Sequence, residues 1–299
     1  MFNKRFLDIF LLACCWGPGF LLTKLAVSTA PPFTLVTIRL CLASLVLWIL
    51  LKIRGLKLPS SLALWQQLGF MGLIATAAPF VLFSYALYYI ESVVSGLING
   101  ITPLLTAILA HFCLQDERLS LEKFCGIALG LIGFLVLLLP NFLNADLADD
   151  SIGMLWTFMA SCCYAIGMVY ARKNLQKLPP LLGPATQVIT GTLLVAPLAF
   201  IVDNPSTLSI DTTAWLAIAT LGTLSTVCAF ILYFRIVEHS GATALSMVTY
   251  ILPIFCSILG VAFLDEHIGW NFVLAAGLIL GGVVLVNSHF KIFKRSSLA

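Results

Sequence analysis

Residues 14–24, CCWGPGFLLTK, return 148 positions later as CCYAIGMVYAR, and both copies sit inside apolar runs of bilayer length. The same offset carries Pro31-Pro32 onto Pro179-Pro180 and Arg39 onto Gln187. Further along it becomes 150, where ITPLLTAIL from Ile101 is answered by ILPIFCSIL from Ile251. A chain built from two related membrane halves must pack one against the other. The interface between such halves is where a site open alternately to two sides can form, so the duplication points toward transport.

Composition sets the class. The chain is 61% hydrophobic and 10% charged, whereas a soluble domain carries about 25% charged residues. Apolar stretches of about 20 residues, the length that crosses a bilayer, recur from end to end. The expectation is an all-α polytopic membrane protein of ten spans, near 6–26, 33–52, 64–89, 92–114, 121–140, 152–171, 183–202, 213–236, 240–264 and 270–290. Two five-helix repeats, 1–145 and 146–299, would divide it. Five is odd, so the second repeat enters the membrane from the opposite face and the halves are expected to be inverted.

Lys and Arg collect on one side of this arrangement, from Lys4, Arg5, Lys52 and Arg54 to Arg235 and Lys291. By the positive-inside rule that side, with both termini, is cytoplasmic. The net charge of +3 is thereby accounted for and implies no nucleic-acid partner.

Against this apolar background a few residues stand out. Arg39 falls inside the second span, where a guanidinium costs at least about 2.5 kcal/mol unless it pairs, snorkels or faces water. No carboxylate lies deep in any span to meet it, so backbone carbonyls or an anionic ligand group remain as partners; the readings are a substrate or gating charge, or an arginine snorkelling near the outer interface. Lys24 ends the first span, either as an interfacial anchor or as a companion to Arg39 at the mouth of a site. Gly17-Pro18-Gly19, Pro79, Pro103 and Pro253 interrupt spans and are candidate kinks or gates, because proline leaves a carbonyl without its donor. Polar and aromatic side chains recur near these breaks: Trp16 and its repeat partner Tyr164, Tyr85, Tyr233, Asn99, Thr249, Tyr250 and Gln187. Such a set suits a small amphipathic substrate. Gly126 and Gly130, and again Gly277 and Gly281, have the spacing that lets helices approach closely, as a brace within the bundle or a homodimer contact.

Absences narrow the chemistry further. The sequence contains no HExxH and no phosphate-binding loop, and its histidines, His111, His239, His267 and His289, are scattered. No metal site, cofactor or enzymatic constellation is expected. The nine cysteines lie mostly in apolar spans and suggest no disulfide framework. Glu91, Glu117 and Glu266 are read as loop residues.

The order of these features resembles one family. W-G-x-G-F-x-x-x-K from Trp16 to Lys24, then Pro32 and Arg39, is similar to the opening of EamA-type members of the drug/metabolite transporter superfamily. Tyr85-Ala86-Leu87, Pro103, Asp116-Glu117-Arg118-Leu119 and Gly126, Gly130 and Gly133 resemble the rest of that repeat. The second half keeps Pro253, Asp265-Glu266, Gly277 and Gly281. The resemblance implies ten helices, cytoplasmic termini, a bacterial inner membrane and a central cavity between the halves. It implies a carrier of small metabolites, amino acids or related amphipathic compounds, with export as the first reading. Uptake or exchange of a nucleotide-derived or vitamin-like compound is the alternative, and a channel or a membrane scaffold are the remaining ones.

Overall fold

In hydrocarbon a backbone N–H or C=O has no water to bond, so a spanning segment satisfies itself as a helix or not at all. A computed structural model of the chain follows that rule. It describes residues 4–115, 118–143, 148–175, 178, 181–205 and 208–287, without the side chains of 4–6, 141–143, 148, 234, 237–247, 249 and 250. Among the described residues the chain is all-helical. The order is α1 (Lys4–Trp16), α2 (Gly19–Val27), α3 (Pro32–Ile53), α4 (Leu62–Gly72), α5 (Ala78–Tyr89), α6 (Ser92–Asn99), α7 (Thr102–Cys113), α8 (Leu121–Leu143), α9 (Ala148–Asn174), α10 (Leu182–Leu198), α11 (Thr212–Gly222), α12 (Ala229–Leu264) and α13 (Trp270–Asn287). Nine stretches among these residues are long and apolar enough to cross a membrane, and Ile251–Leu264 is a shorter apolar helix.

Several spans are composite. Gly17 and Pro18 separate α1 from α2, and a Cβ on Gly17 would lie 2.8 Å from Phe255 Cβ, whereas Gly19 faces open space. Pro103 removes the N–H that would have bonded the Asn99 carbonyl. The chain breaks between α6 and α7 there, and the Thr102 hydroxyl donates to that carbonyl at 2.7 Å. Its repeat partner Pro253 lies inside helix α12, which is continuous through it. Pro79 sits at the start of α5, directly after a π-helical segment, Leu73–Ala77. A π segment recurs at Thr223–Cys228, 150 residues on, where Ala229 replaces the proline. The wide turn therefore does not depend on the proline.

The eighth and ninth spans also depart from expectation, because helix continues from Ala229 to Leu264. A straight helix from residue 225 to residue 256 would measure about 46 Å. Yet Ser225 Oγ donates to the Cys15 carbonyl at 2.7 Å, and Cys256 Sγ lies 3.6 Å from the Gly17 carbonyl, two residues away on the same chain. The chain reverses between those two points, and α12 is not a straight rod.

Helices α8 and α13 pack backbone to backbone. A Cβ on Gly126 would lie 2.7 Å from the Gly282 carbonyl, and one on Gly282 would collide with the Gly126 carbonyl and the Gly130 backbone. Of the two expectations for Gly277 and Gly281, the brace within the bundle does not hold. Gly277 has nothing nearby and Gly281 meets only Leu129 Cδ2 at 3.5 Å. The buried face of α13 is Phe272, Ala275, Ile279, Gly282, Val283 and Val286, and Gly277 lies about 200° around the helix from Ala275.

One end of the bundle is tied by side chains that satisfy the ends of helices on other spans. Asp203 Oδ2 accepts from Thr34 N at 2.6 Å, at the start of α3. Glu266 is a loop residue, as expected, but it is 7% exposed. It accepts from Ser92 N (2.6 Å), Ser92 Oγ (2.8 Å) and Val93 N (3.0 Å), so it caps α6 from across the bundle. Lys24 Nζ donates to the Leu87 and Ile90 carbonyls at 2.7 and 2.8 Å, closing the C-terminus of α5. These groups are free donors and acceptors in any helix, and opposite charges suit the two ends. Beside them burial pushes the Glu91 carboxyl above its ordinary range, with partial relief from the His267 N–H at 3.5 Å. Asp116 and Glu117, the repeat counterparts of this loop, lie outside the described residues.

Two stability measurements follow from this packing. Gly126→Ala and Gly282→Ala should each lower thermal stability in detergent by about 1–3 kcal/mol through overpacking. Gly277→Ala should be neutral or stabilising by up to about 1 kcal/mol from helix propensity; equal losses at all three would contradict the assigned face. Glu266→Ala should cost about 1.5–3 kcal/mol, since it removes a charged acceptor from three donors. Ser92→Ala, which removes one of those bonds, should cost less in the same unfolding assay.

Candidate functional site

Arg39 is the eighth residue of α3, about 10 Å along its axis from the start. It is 8% exposed, so it faces the interior of the bundle and does not snorkel. Its Nε donates to Thr226 Oγ1 at 3.0 Å, and its guanidinium lies 3.7 Å from the centroid of the Phe80 ring. The Thr226 hydroxyl gives its own proton to the Leu221 carbonyl at 2.9 Å. That leaves an oxygen lone pair toward Arg39 and fixes the polarity of the contact. The two terminal nitrogens of Arg39 have no hydrogen-bond partner among the described residues. A free guanidinium edge of this kind binds a carboxylate or phosphoryl group through two parallel bonds.

The same construction occurs a second time. Gln187, at the position of Arg39 in the second half, donates from Nε2 to Thr76 Oγ1 at 2.7 Å. Thr76 and Thr226 are themselves 150 residues apart. Aromatic contacts follow the same pattern: Tyr164 packs on Phe83 at 5.8 Å, and Trp16 on Tyr233 at 6.0 Å, with Trp16/Tyr164 and Phe83/Tyr233 as repeat counterparts. A Cβ on Gly222 would lie 3.0 Å from the Arg39 carbonyl, and one on Gly72 would lie 2.7 Å from the Gln187 carbonyl. One contact joins a position to its own counterpart: Ser44 Oγ and Thr192 Oγ1, 148 residues apart, are 2.8 Å from each other. Reciprocal contacts in which i meets j and j meets i are those a two-fold relation produces.

The remaining candidates distribute around this centre. Tyr85 lies nearer the Lys24 end, against Phe33 and Trp156, each at 5.9 Å. Asn99 Oδ1 is 3.2 Å from the Thr102 hydroxyl at the break in span four. The side chains of Thr249 and Tyr250 lie outside the described residues. Lys24 is engaged by carbonyls of α5 and its loop, and so acts as a clasp on that end. Among the described residues, three buried hydroxyls lack a partner, Thr34, Thr37 and Thr186, all on the two helices that carry Arg39 and Gln187. A recess of about 400 Å³ opens elsewhere, between Gly69, Phe70, Leu73, Thr190, Leu193 and Leu194. Leu193 is exposed and the lining is almost wholly apolar, which is the character of a lipid-facing surface.

Thr76, Thr226 and Phe80 are not among the residues expected from the sequence, and Glu266 is there only as a loop residue that the resemblance also carries. The two threonines had a signal: GLIATAA from Gly72 and GTLSTVC from Gly222 align at the 150-residue offset, with Gly and Thr in common.

Known proteins agree with this architecture. A crystal structure superposes with a TM-score of 0.68 at 20% identity, covering 95% of this chain and 97% of the other. The Uncharacterized transporter YoaV of Bacillus subtilis (strain 168) is 23% identical over 291 residues, 94% of this chain and 96% of that protein. The Uncharacterized inner membrane transporter YedA of Escherichia coli (strain K12) is 23% identical over 280 residues, 93% of this chain and 89% of that protein. The profile of the EamA-like transporter family matches residues 6–139 and again 151–288. With nearly its whole length matched in two successive copies, the chain belongs to the EamA-like transporter family and is an integral membrane transporter of the drug/metabolite type.

Proposed function

We propose that this protein is a secondary carrier that moves small metabolites, amino acids or related amphipathic compounds, by alternating access. The observation that carries the reading is the buried, half-satisfied guanidinium of Arg39 where the two halves meet. A structural role does not call for a charge there, and an anionic substrate group supplies what it lacks. The reciprocal contacts around Ser44 and Thr192 support a relation of inverted repeats between 1–145 and 146–299. The reversal within α12 supports ten crossings. With that count, the distribution of Lys and Arg supports cytoplasmic termini and a Lys24 end outside. The membrane is taken to be the bacterial inner membrane, in keeping with the description of the E. coli relative.

Closure of the outer end by Asp203, Glu266 and Lys24 suits a carrier that loads from the cytoplasm, and export is the direction we favour. Trp16, Tyr164 and Tyr233 would provide aromatic surface to the substrate, and Asn99, Gln187, Thr249 and Tyr250 hydrogen bonds. Uptake or exchange of a nucleotide-derived or vitamin-like compound would use the same residues. Gly277, which faces open space, leaves room for a homodimer contact.

Counterflow in liposomes tests the reading. Vesicles loaded with a panel of amino acids, nucleosides, nucleotide derivatives and vitamins should take up one labelled class saturably. Arg39→Ala should reduce that flux by at least about tenfold, because removing one partner from a buried charged contact costs more than 1.4 kcal/mol. Flux that never saturates would indicate a channel, and normal flux in Arg39→Ala would remove Arg39 from the site.

A further inference from the structure

The two halves amount to an internal comparison. At one position in the fold, each half places a side chain that donates a single hydrogen bond to a threonine in a π-helical segment of the other half. In the second half a neutral glutamine, Gln187, performs that task. The architecture therefore needs one N–H donor there and no charge. Arg39 brings the same donor, a positive charge and further donors that the described protein leaves unused. Burying a guanidinium is costly, and an anion that completes its bonds offsets part of that cost.

The surplus charge is also displaced to one side. Thr34 N to Asp203 Oδ2 and Ser44 Oγ to Thr192 Oγ1 fix α3 antiparallel to α10 and its extension. Arg39 lies between these two ties. Gln187 lies five residues beyond Thr192, on the far side of the crossing. Each is about 7.5 Å along its helix from the Ser44–Thr192 contact, in opposite directions. The three unpartnered hydroxyls, Thr34, Thr37 and Thr186, flank the same two residues.

We infer that the halves carry equivalent polar subsites of which only the first takes an oxyanion, a carboxylate or phosphoryl group. The free edge of Arg39 binds it, Thr226 positions the guanidinium through Nε, and Phe80, Phe83 and Tyr164 flank the carbon skeleton behind it. Gln187 and Thr76 form the neutral counterpart, suited to an uncharged polar group at the other end of the substrate. This deepens the carrier reading above and rests on it for the identity of the site.

The test uses the purified full-length protein in detergent and three probes of matched shape: phenylacetate, phenylacetamide and phenyl phosphate. One of the two anions should bind at least about tenfold more tightly than the neutral amide, the margin expected for charge-assisted bonds. Whichever anion binds more tightly names the oxyanion. Arg39→Gln makes the halves alike, so it should keep the fold and erase the preference. The double exchange of Arg39→Gln with Gln187→Arg should restore it. Thr226→Val should weaken the anion while leaving phenylacetamide binding unchanged, and Thr226→Ser should recover it, a split that mere destabilisation does not produce.

Equal binding of amide and anions by the wild-type protein, no anion binding at millimolar concentration, or an anion preference that survives Arg39→Gln would each overturn the subsite. Saturable counterflow of an uncharged compound together with any of those results would leave the carrier reading standing. Anion binding without counterflow of any compound would do the reverse.

Discussion

The hydrogen bond between Ser44 and Thr192 joins two helices from different halves at equivalent positions, inside a protein whose surface is largely hydrocarbon-facing. In such a medium apolar contact offers little preference for one helix partner over another. A polar pair at a crossing point has a defined register. Together with the tie from Thr34 to Asp203 it sets how α3 lies on α10, and thereby where Arg39 and Gln187 are presented. Thr226 and Thr76 can accept from those side chains only if that register holds. The glycines at 72 and 222 let the backbones approach closely enough for it to hold.

The same economy of polar groups explains the breaks. Where proline or a π segment disturbs the helical ladder, a side chain takes over. Thr102 bonds the carbonyl freed by Pro103, and the Thr226 hydroxyl takes the Leu221 carbonyl. At the Lys24 end Asp203, Glu266 and Lys24 satisfy helix termini belonging to other spans. These are side-chain bonds to helix ends, unlike the backbone packing of α8 on α13. The bundle is thus tied at one end by such clasps and braced by close glycine contacts elsewhere.

Some of this is legible along the chain. Arg39 declares itself because a charge inside an apolar run is rare, and its burial agrees with the reading of a residue inside the bundle. Gly126 and Gly130 declare themselves by spacing and do meet another backbone or side chain closely. Gly277 and Gly281 have the same spacing and do not. Spacing gives the faces of a helix without saying which face is turned inward, and on α13 the inward face passes through Gly282. Glu266 looked like a loop carboxylate because its sequence neighbours are loop residues. Its partners, Ser92 and Val93, are more than 170 residues away.

Membrane insertion, helicity and duplication were settled by the linear pattern alone, because apolar length and self-similarity are properties of consecutive residues. The pairing of polar groups was settled only in three dimensions. Arg39 and Thr226 are 187 residues apart, and Gln187 and Thr76 are 111 apart. No local rule connects them; it takes the packing of helices from the two halves to bring each donor to the other half's hydroxyl. The sequence thus identifies a charge that needs a partner, and the packing of the halves decides which of its bonds the protein supplies and which it leaves open.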